Sequence, residues 1–272
     1  MPRCPHYSAL ILRTIGTWDK GKSEPSDDAS KSRSLWITNS WKRGFHSSTL
    51  MADMKPSNTQ NEPELAGGWS ISKVEGHLNA AEKDALIAFV SQRYEERFLD
   101  PIHTLKSAPR HSRGYGFAIM ALCSLLIESL QSYRYGLPTT NAGEFGRLAS
   151  FNPPPEFQIP PADQKSGTQV FCDFFSYAPH QRLFPSVDGL VFYRAIRNGL
   201  LHQAQTKEGW RIKTGQPRLW NSQDRVVDRQ KFSAALDCAF NQYVEELNLA
   251  RWDENIWLMA RRKIWWLIRF ST

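Results

Sequence analysis

Apolar positions in this chain recur at helical spacing over several long stretches and alternate almost nowhere. The first stretch is Ala80–Leu99, with Leu86, Phe89, Val90, Tyr94 and Phe98 on one face, Asn79 as its cap and Asp100-Pro101 as its stop. The second, Gly116–Tyr135, is apolar nearly all round through Ile127 and amphipathic afterwards. It ends at Gly136 and Pro138, and it has the character of a helix at the centre of a bundle. Thr168–Tyr177 is a short aromatic helix ended by Pro179. Val187–Gln205 follows, with Ser186 as N-cap, Asp188 in the first turn, and Phe192, Ala195, Ile196, Gly199 and Leu200 on its apolar face. Arg225–Leu249 lines up Phe232, Leu236, Ala239, Phe240, Tyr243, Val244 and Leu247. A last helix, Trp252–Phe270, is built on Trp257, Ile264, Trp265 and Ile268.

The connections differ in kind. His103 to Tyr115 is basic and contains glycine. Leu137–Pro161 carries six prolines and no strand pattern, which suits a long surface excursion. Trp210 and Ile212 alternate on one side of Thr214-Gly215, and Leu219 and Trp220 lie on the other, as in a small hairpin. The expected architecture is therefore all-α: a bundle of four or five main helices with a small β-hairpin insertion. Residues 1–65, low in aliphatics and rich in Ser, Lys, Asp and Asn, show no sustained period. They are expected to be a disordered extension ahead of a single helical domain, residues 66–272. Within the extension, Arg43–Ser48 looks like the end of a mitochondrial presequence, but Asp19, Glu24, Asp27 and Asp28 are acidic where transit peptides are not. A variable extension, or a start at Met51 or Met54, is the favoured reading.

Composition narrows the function without naming it. The chain of 272 residues is 41% hydrophobic and contains 10 Trp, enough for a real core. Its formal charge of +7 sits at the ends: residues 1–62 hold 9 Lys/Arg against 6 Asp/Glu and residues 251–272 hold 5 against 2, leaving +1 for the body. Solvated flanks explain that distribution better than a nucleic-acid groove does. Cys4, Cys123, Cys172 and Cys238 lie far apart without zinc spacing, so no structural metal site is expected. Cys123 and Cys238 look like reduced core thiols of a cytoplasmic protein. No apolar run reaches the roughly 18 residues of a membrane span. Ile256–Phe270, the nearest, is broken by Arg261, Arg262 and Lys263, and the N-terminus has no secretory signal. P-loop, GxGxxG, HExxH and GxSxG motifs are absent, and no cofactor is implied.

The unusual chemistry lies in Val187–Gln205. Arg194, Asn198 and His202 form a stripe at i, i+4 and i+8, and Arg197 stands beside them. Core packing asks for none of these. The run Arg197-Asn198-Gly199-Leu200-Leu201-His202 resembles the signature of the HEPN superfamily: arginine, a polar residue, a short gap and histidine on a late helix of an α-bundle. The similarity of fold class and helix position covers roughly Gly68–Leu249. The resemblance implies a metal-independent endoribonuclease, often a toxin or defence protein, working as a homodimer whose two motif copies meet at the interface. His202 would then be the base or acid, Arg197 the phosphate clamp, and Asn198 the group that orients imidazole or phosphate. Those types suit the reaction, because histidine titrates near neutrality and arginine's fork fits phosphate oxygens. Partners implied are RNA and an antitoxin or other protein, with no membrane. The alternative is a non-catalytic HEPN-like module that binds RNA or a protein. A third reading is a purely structural helical dimer.

Other residues compete or assist. Arg97…His103 has a gap one residue wider and meets the same loose spacing. Arg197 and His202 stand about 140° apart around a helix, so they converge only through arginine's reach or a dimer partner. Glu128 and Gln131 occupy the polar side of the second helix. Glu128 is expected to pair with Arg194 or Arg197, either as a core salt bridge or as the group that fixes the catalytic arginine. Gln203 and Glu208 could flank the same pocket. Trp265, Trp266 and Arg261–Lys263 could clamp single-stranded RNA, although packing the Trp face and solvating the basic face is the commoner use of such a helix. Facing Arg197/His202 pairs in an open cleft would support catalysis, and a buried, acid-paired arginine would argue against it.

Overall fold

In the computed structural model, residues 62–108 and 115–271 are described. The expected disordered extension falls almost wholly outside them, and the first element begins at Glu64. Strands β1 (Glu64–Ala66) and β2 (Trp69–Ser70) form a small antiparallel pair. Three helices follow, α1 (Ile71–Asn79), α2 (Lys83–Tyr94) and α3 (Asp100–Ser107). Helix formation thus starts earlier than the apolar pattern suggests, with the Ser70 side chain capping α1 by accepting from Lys73 N. Asn79 closes α1 instead of opening a helix, because Ala81 adopts a left-handed φ of 57° and breaks the path. Asp100-Pro101 does not end the helical course either. Residues Glu95–Leu99 widen into a π turn, in which Asp100 N bonds to Glu95 O, and this accommodates a proline that would clash in a regular helix.

The central element is α4 (Tyr115–Tyr135), which packs against α3, α6, α9, α10 and α11. Its Ile119, Met120, Cys123, Leu126, Ile127 and Leu130 are fully buried. Among the described residues α4, not Ile256–Phe270, is the helix long and apolar enough to cross a bilayer. Its mean hydropathy is 1.3, but 56% of that window is buried within the fold, as in a core helix. The proline-rich excursion then runs through 3₁₀ turns and the one-turn α5 (Phe145–Leu148). A capping box between Ser166 and Gln169 opens α6 (Gly167–Ser176). Pro179 does not end the helical course: it lies in the first turn of α7 (Ala178–Leu183), where a missing N–H costs nothing.

The site helix, residues 189–203, consists of α8 (Gly189–Val191), a π segment (Phe192–Arg197) and α9 (Asn198–Gln203). Beyond it, the expected hairpin is a three-stranded sheet. β3 (Arg211–Lys213) and β4 (Trp220–Asn221) do not pair with each other. Both pair with β5 (Val226–Asp228), parallel and antiparallel respectively. Buried Val226 and Val227 favour the strand, and Asp228 caps the next helix by accepting from Gln230 N and Lys231 N, so α10 is Arg229–Leu249. The final helix is α11 (Asn255–Ser271). Phe192 stacks on Phe232 with centroids 5.0 Å apart, which joins the site helix to α10. The molecule is mostly helical with small sheets. Cys123 is a buried free thiol, as expected.

Candidate functional site

The site helix starts at Asp188, not Ser186. Asp188 Oδ1 accepts from Leu190 N at 2.9 Å and Val191 N at 3.0 Å, and Ser186 sits in a left-handed turn before it. Glycines let the chain pass closely at both ends. A Cβ on Gly189 would meet Cys172 Cα of α6 at 2.7 Å, and one on Gly199 would meet Gln205 O at 2.4 Å. The second contact exists because Ala204, with φ 52°, turns the chain back across the helix. Lys207 N then bonds to Ala195 O at 2.8 Å, within the π segment. Local widening and reversal together set the register of the last turns.

Arg197, the last residue of the π segment, reaches α4. Its Nη2 and Nε donate to Glu128 Oε2 at 2.9 and 3.3 Å, and its Nη1 donates to Asn198 Oδ1 at 3.1 Å. The guanidinium also lies 5.5 Å from the Tyr193 ring centroid. Glu128 Oε1 accepts a short hydrogen bond from the Thr140 hydroxyl. The two side chains of the ion pair are only 17% and 16% exposed. Of the five guanidinium N–H groups, three are engaged and two remain, one on each Nη.

The proposed residues therefore divide. Arg197, Asn198 and Glu128 come together. His202 lies exposed in the last turn of α9, with no hydrogen bond or ion pair to another described residue. Arg194 is exposed and is not the partner of Glu128. Gln131 is buried one turn beyond Glu128, beside the Tyr135 hydroxyl, and its Oε1 lacks a hydrogen-bond partner, so it does not brace Arg197. The competing pair has other duties: Arg97 Nη2 donates to Leu65 O of β1 at 2.9 Å, and His103 Nε2 meets Asp237 of α10 at 3.1 Å. Gln203 and Glu208 are both exposed, and the Glu208 carbonyl is taken by Arg225.

The C-terminal helix packs its Trp face on the bundle, as the commoner use of such a helix predicts, but it does not solvate its basic face. Trp265 and Trp266 are buried, which leaves them unavailable to a strand, and Arg262 and Lys263 are buried as well. Lys263 Nζ donates to Pro138 O at 3.2 Å. Burial, reinforced by nearby Arg93 and opposed by Glu128, pushes its ammonium down to about 8. Pro138 and Thr140 thus form a short strap held at one end by α11 and touching Glu128 at the other. Neither residue carries a periodic signal, so hydrophobic patterning could not have found them. Among the described residues no three His, Cys, Asp or Glu side chains converge as metal ligands. Searches against family models, curated proteins and solved structures find no match to this chain.

Proposed function

We propose that this protein is a metal-independent, HEPN-type endoribonuclease whose site is completed by a second copy of the chain. The observation that carries the reading is Arg197 itself. Glu128 and Thr140 fix the guanidinium while two N–H groups remain, next to Asn198 and an unengaged, exposed His202. In the reaction, the RNA 2′-hydroxyl attacks the adjacent phosphorus, the 5′-oxygen leaves, and a 2′,3′-cyclic phosphate forms. His202 takes the 2′-hydroxyl proton or supplies one to the leaving oxygen, and Arg197 binds the phosphate oxygens. Because the two lie about 140° apart around one helix, a partner's copy supplies the facing half. Phe117 and Leu125, 40% and 38% exposed on α4 and in line with Glu128, support a homodimer. An antitoxin or another protein covering the same face is the further partner this reading implies, and a cytoplasmic setting suits it.

The ion pair also favours a second reading. Arg197 is acid-paired and only partly exposed, which fits a non-catalytic HEPN-like module that binds RNA or a protein. One experiment separates the two: incubation of a mixed RNA pool in EDTA with the wild type, His202→Ala and Arg197→Lys. Cleavage lost in both variants, with circular dichroism unchanged, establishes the ribonuclease. Binding without cleavage establishes the module. Neither binding nor cleavage removes RNA from the account.

A further inference from the structure

The near-neutral charge of the body hides a division. Residues 188–231, from the site helix to the first turn of α10, hold 9 Lys/Arg against 4 Asp/Glu, while the rest of residues 63–250 holds 11 against 15. The excess gathers on the β3–β5 ladder. β3 is an edge strand on which Arg211 and Lys213 are exposed, and Ile212 between them faces Gly116 of α4. In register, Arg211 lies opposite Val226, the neighbour of Arg225. Lys213 lies opposite Asp228, which opens α10 with Arg229 and Lys231 in its first turn. We propose that this basic ladder is a docking surface for the phosphodiester backbone of a single-stranded nucleic acid.

Three features point to a polyanion. The first is that the charges are not neutralised. None of the five cations forms an ion pair with a described carboxylate. Arg211 Nη2 and Arg225 Nη1 donate instead to the main-chain carbonyls of Asp224 and Glu208, at 2.9 and 2.6 Å. Each guanidinium is thereby oriented with most of its N–H groups unspent. Asp228 is 1% exposed, and its oxygens accept from Gln216 N, Gln230 N and Lys231 N. The second is that fold stability does not ask for these residues. Arg229 and Lys231 stand at the positive end of the α10 dipole, in a turn without an acidic residue, where cations are destabilising. The third is spacing. Arg211 and Lys213, two residues apart on a strand, are about 7 Å apart, a step of the same order as that between phosphates of an extended single strand.

An acidic protein fits this surface less well. No large apolar side chain is exposed among residues 188–231, so a protein interface there would lack a buried anchor at its centre. Contact through charge alone suits a uniform backbone. The surface is also continuous with the Arg197 site. Lys207 N bonds to Ala195 O of the site helix, and β3 begins four residues later, at most about 14 Å along the chain. Naming the strand as the RNA whose phosphate Arg197 would hold rests on the proposed function. The backbone assignment does not.

The test is fluorescence anisotropy with the full chain in EDTA, at several salt concentrations. The probes are a labelled 2′-O-methyl RNA, whose blocked 2′-oxygen cannot attack, and the single-stranded DNA of the same sequence. Lys213→Gln with Lys231→Gln removes two exposed charges that make no side-chain hydrogen bond among the described residues. Together they should weaken strand binding about ten-fold near 100 mM salt and lower the slope of log affinity against log salt by about 1.4, the share of two single-strand phosphates. Arg147→Gln, on an exposed position of α5, should change neither. DNA bound with the same losses upholds the backbone assignment and removes any preference for RNA. Binding of neither strand, an unchanged slope in the double variant, an equal loss in Arg147→Gln, or equal affinity for polyglutamate overturns it. Cleavage of unmodified RNA, measured in parallel, keeps the two readings apart. Lysine-dependent strand binding in a protein that does not cut retains the surface and removes the ribonuclease. Cutting with the same KM in the double variant does the reverse.

Discussion

Helix α4 contributes to two arginine–glutamate pairs about two turns apart, and they behave differently. Glu128 pairs with Arg197 of the site helix at 2.9 Å, and Arg134 pairs with Glu246 of α10 at 2.7 Å. The Arg134 guanidinium lies 4.7 Å from the Tyr177 ring and 4.9 Å from the Tyr243 ring, and its Nε and Nη2 are buried without partners. His180 adjoins the same cluster, fully buried, with Nδ1 donating to Phe174 O at 2.9 Å and Nε2 unpartnered. Around Arg197, by contrast, Asn198 accepts from the guanidinium and Thr140 donates to Glu128, two guanidinium N–H groups remain, and the helix end beside the pair is open. An ion pair by itself does not mark a site. What separates these two is whether unspent chemistry stands next to a reachable surface, and only the Arg197 pair meets that condition.

The largest expected effect is on the closed pair. Arg134→Ala leaves Glu246 partly buried and unpaired and should cost about 3 kcal/mol or more in urea denaturation, whereas Arg134→Met should recover much of that loss. Neither should change RNA cleavage, and a loss of cleavage in the Met variant would erase the distinction between the pairs. His180 gives the same cluster a pH signature. Burial pulls its folded pKa down to about 4 from 6.5, so the unfolded chain takes up the proton first. Stability is then full above about pH 6.5, falls as pH drops toward 4 by as much as about 3 kcal/mol, and is flat below. Denaturation of wild type and His180→Gln at pH 7.5 and 4.5 should show the slope in the first only.

The Arg197 region has its signature on the alkaline side. Lys263 holds about 8 in the fold against 10.5 unfolded, so between those values the unfolded chain carries the extra proton and stability rises with pH. Lys263→Met should flatten that rise; an unchanged slope would show that the lysine is not desolvated. Smaller still, Thr140→Val removes the hydroxyl bond to Glu128 and should cost about 1 kcal/mol. Its sharper readout is cleavage, which should fall as Arg197 loosens. His202→Ala, on an exposed position, should leave stability within about 0.5 kcal/mol and abolish cleavage. Retained cleavage there would leave Arg197 as only a second structural pair.

How much of this was legible depends on what each feature rests on. The long helices α4, α10 and α11 were readable because a buried stripe repeats every 3.6 residues. The pairing of Glu128 with an arginine of the site helix was readable for a related reason: a carboxylate facing a core needs a cation. Two turns that break the rule were not readable. The π segments at Glu95–Leu99 and Phe192–Arg197 shift the helical register, and no residue type announces them. β5 was read as the start of α10, because two valines before a helix cap do not reveal which strands they will pair with. Arg262 and Lys263 looked like a solvated face and are buried.

Sequence alone therefore determined that the chain is mainly helical, which faces of its helices are apolar, and that Arg194, Arg197, Asn198 and His202 share one helix. These are local properties, set by periodicity and by the chemistry of each side chain. Tertiary structure decided which arginine meets Glu128, that Thr140 and Lys263 stand behind it, that Gln131 and Arg194 do not, and that the proline-rich excursion packs on Trp266. Those outcomes depend on contacts between residues from 12 to more than a hundred positions apart. Their energies come from burial and from unpaired polar groups, which exist only once the helices have packed.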